Sequence, residues 1–228
     1  MTVLSFEALL FTIAIAFILL AMAKERTEHR HKTAALIDPL TGIANRRAFL
    51  QDGEAQLKRQ ATDPPPTAVM LLDLDTFKSI NDRFGHATGD RVLEIFAEVA
   101  SACMRRMDLF GRLGGEEFAA LLLDTTRERA LAVGEYIRTR FAAATRDVEG
   151  RPVAATVSVG VVISHDAVLD LSALLAQADH ALYRAKDSGR DRVEIASIEL
   201  ILDRAKRGAA ELLAAGSSAA KAAAKSAA

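Results

Sequence analysis

Hydrophobic and polar positions divide the chain into pieces of different physical character. Val3 to Ala23 reads VLSFEALLFTIAIAFILLAMA, apolar on every side, with Glu7 as its one charged residue. About 21 residues at roughly 1.5 Å each cross a hydrocarbon core of about 30 Å. A membrane anchor, a cleaved signal peptide and a buried core helix all fit that pattern. Ala21-Met22-Ala23 has the small-residue spacing of a cleavage site, but no Lys or Arg precedes the apolar run. Lys24, Arg26, Arg30 and Lys32 follow it instead. That asymmetry favours an anchor whose carboxyl-terminal side faces the cytoplasm. The reading taken is a transmembrane anchor over 1–23 and a helical stalk over 24–37.

The periodicity then becomes that of a folded domain over 38–196. A helix starts after Asn45, a good N-cap, and runs to about Gln60, where Asp63-Pro64-Pro65-Pro66 breaks it. Ala68 to Leu72 is a short continuous apolar run, the mark of a buried strand, and it ends in Asp73-Leu74-Asp75. Gly89 to Met107 repeats apolar residues at three and four, a helix. Leu109–Leu113 and Phe118–Leu123 flank Gly114-Gly115-Glu116-Glu117, a hairpin with a glycine turn. Arg127–Ala144 reads as a helix, Ala154–Ile163 as a strand, Leu171–Asp187 as a helix closed by Gly189, and Arg192–Ile195 as a last short strand. The order predicts an α+β sandwich, with helices covering a largely antiparallel central sheet. Residues 197–228 are Ala/Lys/Ser-rich and read as a tail, partly helical or disordered.

Composition changes this picture little. A chain of 228 residues that is 50% hydrophobic can bury a core, although part of that share belongs to the apolar run. A formal charge of −1 excludes a strongly basic nucleic-acid binder, so neither DNA nor RNA is an expected partner. Cys103 is the only cysteine, which rules out an intrachain disulfide. It falls in the helical series Leu93, Phe96, Ala100, Cys103, Met107, where a buried thiol is the simplest reading.

Chemistry gathers in two acidic features, Asp73 with Asp75 at a strand end and Glu116-Glu117 in the glycine hairpin. Like charges pack closely only where a cation compensates them. If the two loops meet, they form an all-carboxylate cluster suited to Mg²⁺ or Mn²⁺, ions that recruit phosphate oxygens as further ligands. If they do not meet, both are ordinary solvated turns.

The flanking residues bear on those alternatives. Asp73-Leu74-Asp75-Thr76-Phe77-Lys78-Ser79-Ile80-Asn81-Asp82-Arg83-Phe84-Gly85-His86 leads to Gly89-Asp90. Arg112 precedes Gly114-Gly115-Glu116-Glu117-Phe118. Asp38-Pro39-Leu40-Thr41-Gly42 leads to Asn45-Arg46-Arg47, and Ala181-Leu182-Tyr183-Arg184-Ala185-Lys186 to Gly189-Arg190. Together, over about residues 34–196, these blocks resemble the GGDEF-domain diguanylate cyclases.

The resemblance implies a fold like the palm of polymerases and adenylyl cyclases. It implies joining of two GTP into cyclic di-GMP with release of two pyrophosphates, by a homodimer using Mg²⁺ or Mn²⁺. Asp73 and Glu117 match the side-chain metal ligands, with the Leu74 carbonyl as a third oxygen. Glu116 matches the residue invoked to deprotonate the attacking 3′-hydroxyl, as base or as metal support. Asn81 and Asp90 match the guanine readers; Lys186 and Arg190 match phosphate binders, aided by Lys78 and the amides around Phe77. Arg105 and Asp108 match an inhibitory product site. With the anchor, this implies a place in the bacterial cytoplasmic membrane with the catalytic domain in the cytoplasm. The sequence departs from the family at Asp191, where asparagine is frequent, and at Thr76, where a larger side chain is. The alternative is a catalytically silent domain acting as a cyclic di-GMP receptor. Silent members typically lose the hairpin acids, and this chain keeps both.

Overall fold

The computed structural model describes Ile15 and residues 36–59, 65–164 and 170–196. The anchor reading over 1–23, most of the stalk over 24–37 and the tail over 197–228 lie outside the described residues. Among the described residues, no helix is long and apolar enough to cross a membrane.

Strand β2 (Thr67–Leu74) lies inside the sheet, with every residue buried except the half-buried Leu71. Burial on both faces is why it reads as a run of apolar residues and not as an alternation. It pairs antiparallel with β4 (Glu117–Leu122) on one side and β5 (Val157–Ser164) on the other. Outside these lie β3 (Leu109–Gly114) and the two-residue β1 (Ala44–Asn45) at one edge, and β6 (Val193–Ala196) at the other. The strand order is β1-β3-β4-β2-β5-β6.

The expectation of a largely antiparallel sheet needs correction, because the sheet is mixed. β1 runs parallel to β3, and β6 parallel to β5. The second pairing follows from the connection. Helix α5 (Leu171–Asp187) carries the chain back along the sheet before β6 begins, and such a crossover makes the two strands parallel.

Helices cover both faces. Ala68, Met70, Leu72 and Leu74 of β2 point to the layer containing α3 (His86–Ser101) and α4 (Arg127–Ala144). There Phe96 sits with its ring centroid 4.6 Å from that of Phe118 and 5.0 Å from that of Phe141. Val69 points the other way, into a cluster with Phe49 of α1 (Arg46–Lys58) and Leu171, Leu174 and Ala178 of α5. Caps fix the helix starts: Asn45, Thr126 and Asp170 each accept a hydrogen bond from the backbone amide three residues on.

Three boundaries differ from the periodicity. A separate helix, α2 (Phe77–Phe84), precedes α3 and meets it at Gly85, whose φ of 87° breaks the helical path. Helix α3 stops at Ser101 and not near Met107, because residues 105–108 close their own turn through the Arg105–Asp108 pair. Strand β5 starts at Val157 and not Ala154, where φ is 52° and the chain has not yet extended.

Helix and sheet approach closely at Gly160 in β5. A Cβ there would stand 2.1 Å from the Ala178 carbonyl oxygen and 2.3 Å from the Leu182 amide nitrogen, both backbone atoms of α5. Gly160→Ala therefore forces helix and sheet apart and should destabilise the domain by about 3 kcal/mol. Urea unfolding checks this; an unchanged midpoint overturns the packing described.

Candidate active site

The site forms where β2, the β3–β4 hairpin and the carboxyl-terminal end of α5 come together. Asp73 is the register partner of Glu117 in β4 and of Ser158 in β5. The next residue ties strand to turn, the Leu74 N–H donating to the Glu116 carbonyl at 3.2 Å. The two acidic loops of the sequence therefore do meet.

Two glycines make the hairpin tip, Gly115 in the left-handed region at φ 49° and Gly114 at φ 154°, with a register shift between Arg112 and Gly114. Arg112 braces this tip from below. Its Nε and Nη2 donate to the Gly115 carbonyl at 2.9 and 2.8 Å, and its Nη1 to Asp38 Oδ1 at 3.0 Å. Asp38 also accepts from the Thr41 amide and hydroxyl. The Asp38-Pro39-Leu40-Thr41-Gly42 block, which had no role on sequence grounds, is thus the footing of the hairpin.

Charge at the site is unbalanced. Asp73 is 7% exposed, and its Oδ1 lies 2.9 Å from Lys186 Nζ of α5. Burial pushes the Asp73 carboxyl above its ordinary range, and the charges of Glu116 and Glu117 push the same way against the pull of Lys186. The cluster thus has room electrostatically for a further cation. Its donors are all oxygen, which suits a hard divalent ion and not a soft one. Among the described residues, no group of three or more His, Cys, Asp or Glu side chains is placed to hold a metal ion. Asp73, Glu117 and the Leu74 carbonyl would be a partial ligand set, which leaves positions for substrate oxygens.

The other expected residues surround this centre. Phe77 is buried and opens α2, whose N-cap position, Thr76, lies in the left-handed region at φ 51° and caps nothing with its side chain. Lys78 is exposed on the first turn. The packing of α2 on α3 sets the Asn81 side chain against Gly89, the residue before Asp90. A Cβ at Gly89 would stand 1.9 Å from Asn81 Oδ1, so the Asn81 amide has its place only because residue 89 is glycine. Arg190 is exposed in the turn after α5. The charge that Asp191 adds beside it is met by Arg138 of α4, whose Nη1 donates to Asp191 Oδ1 at 2.9 Å. No local motif announces Arg138, because the pair spans 53 residues of sequence.

Arg105 and Asp108 stand apart from this centre, on the turn between α3 and β3. Arg105 Nε and Nη2 donate to the two oxygens of Asp108 at 3.1 and 3.0 Å, and its Nη groups reach the Leu123 and Asp124 carbonyls. Asp75 also departs from the acidic centre. It is held by hydroxyls of the adjoining strand and does not join Glu116 and Glu117.

The family model described as "Diguanylate cyclase, GGDEF domain" matches residues 35–192. The chain belongs to that family. Among its relatives are the diguanylate cyclase DgcP of Pseudomonas aeruginosa, 41% identical over 71% of this chain and 24% of its own length. The response regulator PleD of Caulobacter vibrioides is 39% identical over 70% of this chain and 36% of its own. The chain therefore spans well under half the length of these relatives. The same fold is seen in the coiled coil and GGDEF domain of DgcB from Caulobacter crescentus in complex with c-di-GMP. That structure is 29% identical, with TM-score 0.69, over 78% of this chain and 95% of that one. The active GGEEF domain of a diguanylate cyclase from Vibrio cholerae is 35% identical with TM-score 0.59, over 66% of this chain and 96% of that one.

The Asp38–Arg112 brace gives a pH-dependent prediction. Burial would raise the Asp38 carboxyl, but the Thr41 hydroxyl and amide and the Arg112 guanidinium outweigh it and hold the group below its usual range. A depressed acid contributes stability that is full above its unfolded value, about pH 4, and is lost as pH falls through the folded one. Asp38→Asn should cost about 1 kcal/mol at pH 7 and progressively less below pH 4. Thermal melts of both proteins across that range check it; parallel curves sink it.

Proposed function

We propose that this chain is a diguanylate cyclase that condenses two GTP into cyclic di-GMP and two pyrophosphates, with Mg²⁺ or Mn²⁺ as cofactor. The observation that carries this reading is the register pairing of Asp73 with Glu117 at a strand end, beside an intact Glu116. Asp73, Glu117 and the Leu74 carbonyl would hold the metal, which when bound would supply polarisation of the α-phosphate and of the leaving pyrophosphate. Glu116 serves the attacking 3′-hydroxyl. Lys186, Arg190, Lys78 and the amides around Phe77 bind the triphosphate. Lys186 reaches it by leaving the contact it makes with Asp73.

Specificity for guanine rests on Asn81 and Asp90. A carboxylate accepts from the N1–H and exocyclic amine of guanine, and adenine offers no such pair of donors. One protomer holds one GTP, so two protomers must face each other to bring each 3′-hydroxyl to the partner's α-phosphate. The reaction therefore runs in a homodimer. The apolar run over 1–23 anchors that dimer to a membrane with the catalytic domain on the cytoplasmic side. Product inhibits through Arg105 and Asp108, in exchange for the contact these two make with each other.

Incubation of the full chain with GTP and Mg²⁺, with the nucleotides resolved afterwards, tests the reading. Cyclic di-GMP should form, and ATP should give no product. Glu117→Gln and Asp73→Asn should each lower the rate by at least a hundredfold; activity retained in both overturns the metal assignment. GTP or cyclic di-GMP binding without turnover moves the chain to the receptor reading. Arg105→Ala should raise the product concentration needed for half-inhibition at least tenfold, and an unchanged value removes the inhibitory site from Arg105 and Asp108.

A further inference from the structure

Asp75 is the acid that the metal centre leaves out. It is 4% exposed, yet every hydrogen bond its carboxylate accepts comes from a neutral donor. Thr156 Oγ1 donates to its Oδ2 at 2.8 Å, Ser158 Oγ to its Oδ1 at 2.7 Å, and the Asp191 backbone N–H to Oδ2 at 3.1 Å. The first two come from the paired segment across β2, where the Asp75 N–H itself donates to the Thr156 carbonyl at 2.9 Å. The third reaches across 116 residues of sequence to the turn that follows α5.

That turn needs holding. The Gly189 and Arg190 amides end α5 on the Lys186 and Ala185 carbonyls, the helix-ending arrangement that requires a left-handed residue. Here the left-handed stretch continues beyond the glycine: φ is 109° at Gly189, 63° at Arg190 and 45° at Asp191. Two successive side-chain-bearing residues in that region carry a conformational cost, which persists only where surrounding contacts determine it. On one side Arg138 takes the Asp191 carboxylate, and on the other Asp75 takes the Asp191 amide. The Arg190 side chain, between these two ties, makes no hydrogen bond or ion pair among the described residues.

We infer that Asp75 is a positioning residue for substrate phosphate. It fastens the turn bearing Arg190 to the strand end bearing Asp73, so that guanidinium and metal site are set at one distance before GTP arrives. The inference rests on the reading of Arg190 as a phosphate binder. Asp75 works here as an acceptor and not as a charge, because its partners are hydroxyls and an amide. An asparagine in its place can still accept from Thr156 and Asp191 with its oxygen, while its amide donates to the Ser158 hydroxyl.

The test measures steady-state kinetics with GTP and Mg²⁺ and amide hydrogen exchange at Asp191, on the full chain. Asp75→Ala should raise KM for GTP about tenfold with kcat within threefold of wild type, and speed exchange at Asp191 at least tenfold. Asp75→Asn should bring both readings back to near the wild-type values. The double variant with Arg190→Ala should have a KM no higher than Arg190→Ala alone. If Asp75→Asn is as impaired as Asp75→Ala, a charge is required at this position and the inference falls. It falls equally if Asp75→Ala leaves exchange at Asp191 unchanged. If Arg190→Ala leaves KM unaltered, the phosphate reading of Arg190 fails and with it the functional half of the inference, while exchange still reports whether the tie exists. Should Asp75→Ala not fold, Asp75→Ser, whose hydroxyl is one bond shorter than the carboxylate, carries the same comparison.

Discussion

At Gly160 the backbone of α5 lies on the sheet with no space for a side-chain carbon between them. Most of the site depends on that approach. Lys186 lies about one turn beyond the contact with Leu182 on the same helix, and the turn at 188–192 follows it. A helix that stood off the sheet by the width of one methyl group would lift Lys186 away from Asp73. The loop amide of Asp191 would leave Asp75 in the same movement. A single missing side chain in the middle of β5 thus sets the height at which the basic groups face the acidic ones.

The acidic groups need that neighbour. Asp73 is brought to a buried strand end by the same apolar run that makes β2 a central strand, and its ordinary preference for water is overridden by its sheet neighbours. Burial above all, with Glu116 and Glu117 adding to it, works against the charge on Asp73, and Lys186 opposes them. Folding tolerates such an arrangement where the surrounding packing is strong, and the phenylalanine cluster on the opposite face supplies it. Stability is thus generated in one layer of the domain and spent in another.

The helices at Arg127–Ala144 and Leu171–Asp187 have the bounds expected from the sequence, and the structure shows why, since Thr126 and Asp170 cap them. The buried strand and the glycine hairpin were legible for the same kind of reason. The parallel pairings were not, since periodicity shows which face of a strand is buried but not which strand lies beside it. The meeting of Asp73 with Glu117 was a conditional reading until the register of β2 and β4 was seen. Least legible were the residues acting over long separations. Arg112 stood beside the hairpin block but its partner Asp38 was not readable, and nothing in the local sequence distinguishes Arg138, which holds Asp191. Asp75 was visible as an acid, but its neutral partners Thr156 and Ser158 were not, so it looked like a companion of Asp73.

The two outer strands have a further consequence. Among the described residues, β1 at one edge has two residues and is met on its outer side by Leu36 and Ile37, the Asn45 N–H donating to the Leu36 carbonyl, while β6 at the other edge has four. An exposed edge is a template on which another chain can add a strand, and its pull grows with the row of unpaired N–H and C=O groups it presents. Edges this short give an incoming chain few hydrogen bonds to gain. Copies of this domain crowded together are thus guarded against sheet extension into fibrils, and productive encounters are left to side-chain surfaces.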